Sequence, residues 1–312
     1  MRVTVPSYAK LNLDLRVLDR RPDGYHNLRT VFQTVSLKDT LAIDFDFAKR
    51  TQIEIDSSVD IPDNLVVRSA KLVLDAMCVQ AHVRFRLVKR IPMGAGLGGG
   101  SSNAAAVLLA LPALARKQID PACLFRLAES LGSDVPFFLR GGTVLALDRG
   151  TELYPLPDLP GYAALIVATG IHVSTREAYA ALGRKATDRL TSPSDSPILR
   201  EFQAVVWALS ACSLGELPLT NDFEQAVFQM HPQLPALRRK LRRLGARPVR
   251  MTGSGSALFG FFQTREESRA AASKFSPGTA FPIRLLGRRQ YRGAWRRALG
   301  EFASRQPLTS GE

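Results

Sequence analysis

The residues best suited to chemistry in this chain lie between Pro92 and Ala106, where five of the seven positions from Gly94 to Gly100 are glycine. That density exceeds what a tight turn requires. It lets successive N–H groups converge with no Cβ in the way, and such a nest holds anionic oxygens. Ser101, Ser102 and Asn103 follow as residue types that cap helix N-termini, and Ala104-Ala105-Ala106-Val107-Leu108-Leu109 continues as an apolar, buried helix. A phosphate at that junction meets free N–H donors and the positive end of the helix dipole. The run Pro92-Met93-Gly94-Ala95-Gly96-Leu97-Gly98-Gly99-Gly100-Ser101-Ser102 is therefore expected to cradle phosphate. It is not the common P-loop, because no lysine follows the last glycine, and no dinucleotide-binding spacing with a downstream ribose carboxylate is evident.

Around the cradle, the chain alternates elements that could position it. From Val3 to Val17 apolar and polar residues alternate, which predicts a strand with Leu11, Leu13, Leu15 and Val17 on one face and Lys10, Asn12 and Asp14 on the other. A turn signal at Arg21-Pro22-Asp23-Gly24 precedes Tyr25 and His26. Further strands are expected at Leu41 to Phe47, Ile53 to Ile55, Val83 to Val88 and Thr143 to Leu147, with helices over Asn64 to Met77 and Pro121 to Leu131. Gly132 stands where a left-handed residue would end the second of these helices, placing Asp134 just beyond it. Further on, Leu234, Leu237, Leu241 and Leu244 form an apolar helical stripe opposite a basic face, and Val249 to Phe262 reads as strand, glycine turn, strand. Linker composition appears near Asp158 to Gly161 and from Ala186 to Pro197, and the last ten residues have the composition of a disordered end.

Bulk properties bound the function. A length of 312 residues favours two domains, placed at residues 1–150 and 151–312, and 46% hydrophobic against 22% charged residues is ordinary for a globular protein. No apolar run is long enough to span a membrane, and no charged, apolar and cleavable segments succeed one another at the N-terminus, which predicts a cytoplasmic protein. Cys78, Cys123 and Cys212 are odd in number and far apart, so they are expected to be reduced core residues rather than disulfides or zinc ligands. The formal charge of +14 draws polyanions, yet the basic residues are spread along the chain without interleaved stacking aromatics, so a phosphorylated small molecule is preferred over nucleic acid as partner.

The run from Pro92 to Ala105 resembles the ATP loop of the GHMP kinase superfamily. Ala9-Lys10-Leu11-Asn12-Leu13, Arg21-Pro22-Asp23-Gly24-Tyr25-His26 and Gly132-Ser133-Asp134-Val135-Pro136-Phe137 resemble the branch of it that phosphorylates a cytidylated methylerythritol in the non-mevalonate isoprenoid pathway. The similarity extends through Asn221-Asp222-Phe223-Glu224 and the Gly253-Ser254-Gly255 loop. It departs at Ser133, where the family more often has alanine, and the basic tail after about Phe281 matches no motif with a role.

The resemblance implies an α+β, two-domain fold, with an N-terminal domain like ribosomal protein S5 domain 2 and a ferredoxin-like C-terminal domain. It implies ATP as phosphoryl donor, Mg²⁺ beside it, and a small cytidylated substrate bound by a monomer or weak homodimer. Asp134 would accept the proton of the acceptor hydroxyl, Lys10 would pair with Asp134 and touch the transferring phosphoryl group, and Asn12 would orient the acceptor. From spacing alone, Lys10 fits a solvated strand face equally well, and Asp134 a turn residue capping backbone N–H groups. Tyr25 and His26 would stack on and read the cytosine, with Tyr179 as a second aromatic and Thr175 as a polar contact from the other domain. Asn221 to Glu224 fit either a domain junction or a ligand contact. No carboxylate cluster has metal-ligand spacing, which leaves the metal ligands unknown and the ion held mostly by phosphates and water. The same glycine loop would also serve a homoserine or mevalonate kinase, but Tyr25 and His26 have no place there.

Overall fold

A computed structural model of the chain describes residues 1–183, 197–209 and 217–305. Two long antiparallel strands organise the first domain, β1 (Arg2–Arg20) and β2 (His26–Phe47). The turn expected at 21–24 joins them, and the strand expected at Leu41 to Phe47 is the C-terminal end of β2. The other edge of β2 is shared, with β4 (Ala81–Val88) pairing its C-terminal half and β5 (Thr143–Leu147) its N-terminal half. β3 (Gln52–Ser57) runs parallel to β4 through the crossover helix α1 (Leu65–Ala76), whose first turn is capped by the Asn64 side chain on Val66 N–H. Such a cap is worth about 1 kcal/mol.

Helix α2 (Gly99–Leu114) is apolar on all sides and almost wholly buried, packed between the sheet and helices α1 and α3 (Pro121–Leu131). A helix without a polar face is stable only as the centre of a core. A four-residue helix, α4 (Val135–Phe138), follows α3 with Asp134 at its N-cap. Gly132 ends α3 with an extended conformation (φ 156°, ψ 154°) rather than the left-handed one expected.

The second domain is a four-stranded antiparallel sheet in the order β10-β7-β9-β8, formed by β7 (Ala163–Val167), β8 (Val249–Met251), β9 (Leu258–Phe262) and β10 (Ala280–Arg284). With helices between β7 and β8 and between β9 and β10, this is the ferredoxin-like order. Helices α5 (Thr175–Leu182), α7 (Phe223–Met230), α8 (Gln233–Arg243) and α9 (Arg265–Ala272) build a core on one face. The other face meets Leu11, Leu13, Val31 and Val35 of the first sheet, together with Phe202 and Val205 of α6 (Pro197–Ala208). The leucine face of β1 is therefore the seam between the domains, and its polar face is buried as well.

The division expected at residue 150 cuts through a hairpin. β6 (Glu152–Pro155) continues the first sheet by pairing with β5, so the first domain runs past that point. The stretch beyond Phe281 is no tail either. Helix α10 (Arg288–Leu299) returns to the first domain and buries Tyr291, Trp295 and Leu299 in its core, because these residues recur at helical spacing beneath a basic face. The cysteines also differ from expectation: Cys78 is exposed in the turn after α1 and Cys123 is half-buried in the first turn of α3, both as free thiols. Cys212 lies outside the described residues, as do residues 186–196 and 306–312 of the two stretches expected as linker and disordered end.

Candidate active site

The cradle is built on the open edge of β1. Lys10 N–H donates to Leu97 O at 3.0 Å, and from the other side Ala257 N–H reaches Ala95 O at 3.4 Å, so the glycine loop is clamped between β1 and the turn linking β8 to β9. This contact explains the glycine at position 96, where φ is +75° and a Cβ would stand 2.3 Å from Thr252 O. Helix α2 starts earlier than expected. Gly98, not a serine, is its N-cap, in the left-handed conformation and with no side chain to occupy the first-turn N–H groups. Those donors have no side-chain cap, an arrangement that suits an anion.

Lys10 lies beside this loop, its side chain only 4% exposed. Its Nζ is 3.2 Å from Asp134 Oδ2, donates to Asn12 Oδ1 at 2.7 Å and sits 5.0 Å from the centre of the Phe32 ring. The solvated strand face is thereby ruled out for Lys10. Asp134 likewise makes no side-chain capping bond at α4. Asn12 has its own anchors: Nδ2 donates to Thr30 Oγ1 at 2.8 Å and its main-chain N–H to Thr252 Oγ1 at 2.9 Å. Its amide is thus fixed with the oxygen aimed at Lys10. Behind Asp134, the Tyr291 hydroxyl of α10 donates to Phe138 O at 2.5 Å, tying down the far end of α4.

These groups line one cavity of about 970 Å³ between the domains. The cradle glycines 94, 96 and 98 lie along it with Lys10, Asn12 and Asp134, and Tyr25, His26, Thr175 and Tyr179 lie along it as well. His26 and Tyr179 stack directly, with ring centres 4.8 Å apart and planes 14° apart. That spacing leaves no gap for a base between those two rings. Tyr25 is 55% exposed, with the Arg149 guanidinium over its ring at 5.6 Å. Burial lowers the His26 pKa, Arg20 lowers it further and Asp19 opposes, so the ring is neutral at physiological pH. Burial, with the Asp134 charge second, pushes the Tyr179 phenol up to about 12. The Ser174 hydroxyl caps α5 by accepting from Glu177 N–H, and Thr175 Oγ1 meets Ser254 Oγ at 3.0 Å.

The 221–224 segment resolves into a junction. Asn221 Nδ2 donates to Met251 O and Gly253 O, Asp222 Oδ2 accepts from Val17 N–H, and Glu224 Oε1 accepts from Met251 N–H. Only Phe223 reaches the cavity, edge-on to Tyr179. Sequence reasoning missed Thr30, Thr252, Arg149 and His172, whose ring packs against Gly94. Thr252 borders the Gly253-Ser254-Gly255 loop, but all four are ordinary residue types with no local signal of their own. Among the described residues no three His, Cys, Asp or Glu side chains gather as metal ligands, and no helix is long and apolar enough to cross a membrane.

A helix N-terminus opened by glycine and faced by a buried ammonium paired with a carboxylate makes this a small-molecule phosphotransferase in which two domains share the cavity. Residues 64–142 match the family model for the GHMP kinases N terminal domain, and residues 207–277 that for the GHMP kinases C terminal domain. A 4-diphosphocytidyl-2-C-methyl-D-erythritol kinase of Solibacter usitatus is 50% identical over 94% of this chain and 92% of its own length. One of the same description from Thermus thermophilus is 40% identical over 85% of this chain and 89% of its own. A crystal structure of a 4-(cytidine 5'-diphospho)-2C-methyl-D-erythritol kinase superposes with a TM-score of 0.75 at 38% identity, covering 91% of this chain and 99% of that one. A homoserine kinase of Cytophaga hutchinsonii shares the fold, with a TM-score of 0.68 at 18% identity over 92% of this chain and 95% of its own. The chain belongs to the 4-diphosphocytidyl-2-C-methyl-D-erythritol kinase family of the GHMP kinases.

Proposed function

We propose that this protein transfers the γ-phosphoryl group of ATP to the 2-hydroxyl of 4-diphosphocytidyl-2-C-methyl-D-erythritol, a step of the non-mevalonate route to isoprenoid precursors. The observation that carries the assignment of roles is the 3.2 Å pair of Lys10 Nζ and Asp134 Oδ2, set between the glycine cradle and the aromatic end of one cavity. Asp134 takes the proton of the 2-hydroxyl, the freed oxygen bonds to the γ-phosphorus, and the bond to the bridging oxygen breaks to release ADP. The transition state spreads charge over the equatorial oxygens, so catalysis is mostly positioning and neutralisation. Lys10 supplies the neutralising charge, and Asn12 keeps its ammonium aimed while orienting the acceptor. The residues from Pro92 to Ser102 hold the ATP phosphates.

At the other end, Tyr25 offers an exposed ring face to the cytosine. The neutral His26 ring, steadied by its stack on Tyr179, offers one donor and one acceptor to the base edge, and the Thr175 hydroxyl adds a polar contact. Mg²⁺, when bound, neutralises phosphate charge. With no trio of ligating side chains among the described residues, phosphate oxygens and water fit as its ligands. In this reading the protein acts as a monomer or weak homodimer in the cytoplasm. Nucleic acid is not a partner in this reading, and tight, steeply salt-dependent DNA binding would contradict it.

The test is ATP consumption with the cytidylated substrate beside homoserine and mevalonate. Turnover is expected with the first alone, and activity confined to either of the others would refute the proposal.

A further inference from the structure

At the entry to the glycine cradle lies a fully buried carboxylate with no part in the chemistry above. Asp39, on β2, is 0% exposed. Its Oδ1 accepts from the main-chain N–H groups of Arg90 at 2.7 Å and Ile91 at 2.9 Å. Its Oδ2 accepts from Lys89 Nζ at 2.5 Å and from Asn103 Nδ2 at 3.0 Å. Lys89 Nζ also donates to Asn103 Oδ1 at 3.1 Å, closing a triangle.

The placement gives these bonds their meaning. Residues 89–91 are the last before the cradle, and Asn103 lies in the second turn of α2, which leaves it. One side chain therefore ties both ends of the phosphate loop to the central strand of the sheet. The clasp also touches the first residue of the helix, since a Cβ on Gly99 would stand 3.0 Å from Ile91 Cγ2 and 3.1 Å from Lys89 Nζ. A glycine-rich segment has the largest backbone entropy to lose on ordering, so fixing both of its ends removes freedom that a bound nucleotide would otherwise have to remove.

We infer that Asp39 is a positioning residue for the nucleotide: by clasping Lys89, the Arg90–Ile91 backbone and Asn103 it sets the span of the cradle and holds its N–H groups ready for phosphate. This rests on the reading of residues 92–102 as the ATP site. Its effect is confined to one substrate, because Tyr25, His26 and Tyr179 make no contact with the clasp.

The test uses three variants of the full chain. Asp39→Asn keeps the shape but leaves the Lys89 ammonium, 6% exposed, without its counter-charge. It is expected to raise KM for ATP about tenfold, as loss of a charged hydrogen bond does, with KM for the cytidylated substrate within about twofold. Amide hydrogen exchange should quicken across residues 92–101 and stay unchanged in β4 and α1. Asn103→Ala keeps the ion pair and removes one tie, with about a threefold rise in ATP KM expected and the same selectivity. It decides the matter alone if Asp39→Asn fails to fold. Gly98→Ala, whose Cβ would press on Phe138 and Lys10, reports on the cradle itself. If Gly98→Ala raises ATP KM while the other two leave it unchanged, or if both KM values rise equally in Asp39→Asn, the clasp inference is overturned and the cradle reading stands. Should Gly98→Ala also leave ATP KM unchanged, the cradle reading falls and the inference with it.

Discussion

The two ends of the cavity are built differently. At the end proposed for phosphoryl transfer, Lys10, Asn12 and Thr252 are buried and joined by hydrogen bonds shorter than 3 Å, with the glycine loop clamped from both domains. At the end proposed for the base, Tyr25 is more than half exposed, and the aromatic contacts are a stack between one domain's histidine and the other's tyrosine. The first end is pre-organised before substrate arrives, which suits a reaction whose barrier is lowered by fixed charges. The second has surface still to bury, and burying it on the ligand supplies affinity. Chemistry and recognition should therefore separate cleanly in kinetics.

The largest effects belong to the buried end. Lys10→Ala and Asp134→Asn are each expected to lower kcat by about 10²–10⁴-fold while a non-hydrolysable ATP analogue binds within a few-fold of its normal affinity. Near-normal turnover of Asp134→Asn would remove it as the base. Next in size, His26→Ala should raise KM for the cytidylated substrate about tenfold through loss of a stack and a hydrogen bond, with ATP little changed. Equal effects on both substrates would erase the contrast between the two ends.

The same histidine predicts a pH dependence with a definite sign. Its pKa lies below the ordinary value of about 6.5, so the neutral form holds above that pH and the charged form appears only as pH falls through the lowered value. Protonation removes its acceptor nitrogen and adds charge beside Arg20. KM for the cytidylated substrate should then be flat at neutral pH and rise in acid, and in His26→Ala that rise should vanish. Smallest is Tyr179→Phe. With its pKa near 12 the phenol never ionises in the working range, and the ring alone stacks on His26, so KM should shift by no more than about twofold. A large shift would mean that the hydroxyl contacts substrate.

The helices and strands with strong period, such as α1, α3, α8 and β4, were legible from spacing because burial of one face imposes that period wherever the element packs. The β1–β2 pair was only half legible. Bulges at residues 8–10, 12–14 and 17–20 break its register, and the length of β2 depends on two different partners along one edge. The role of α10 was invisible, because a basic composition masks three buried residues whose destination is another domain.

By itself, the sequence determined the glycine-rich loop that opens α2, since a nest followed by a helix N-terminus is a local arrangement that glycine permits wherever it is placed. Its motifs also carried the family. Only the tertiary structure decided whether Lys10 and Asp134, separated along the chain by the whole cradle and three helices, would meet, and that Gly98 rather than a serine opens α2. It alone revealed Thr252 behind Asn12 and Asp39 beneath the loop. The reason is physical: a hydrogen bond or ion pair depends on a few ångströms of separation, and those are set by how two sheets pack across the leucine face of β1, not by any spacing along the chain.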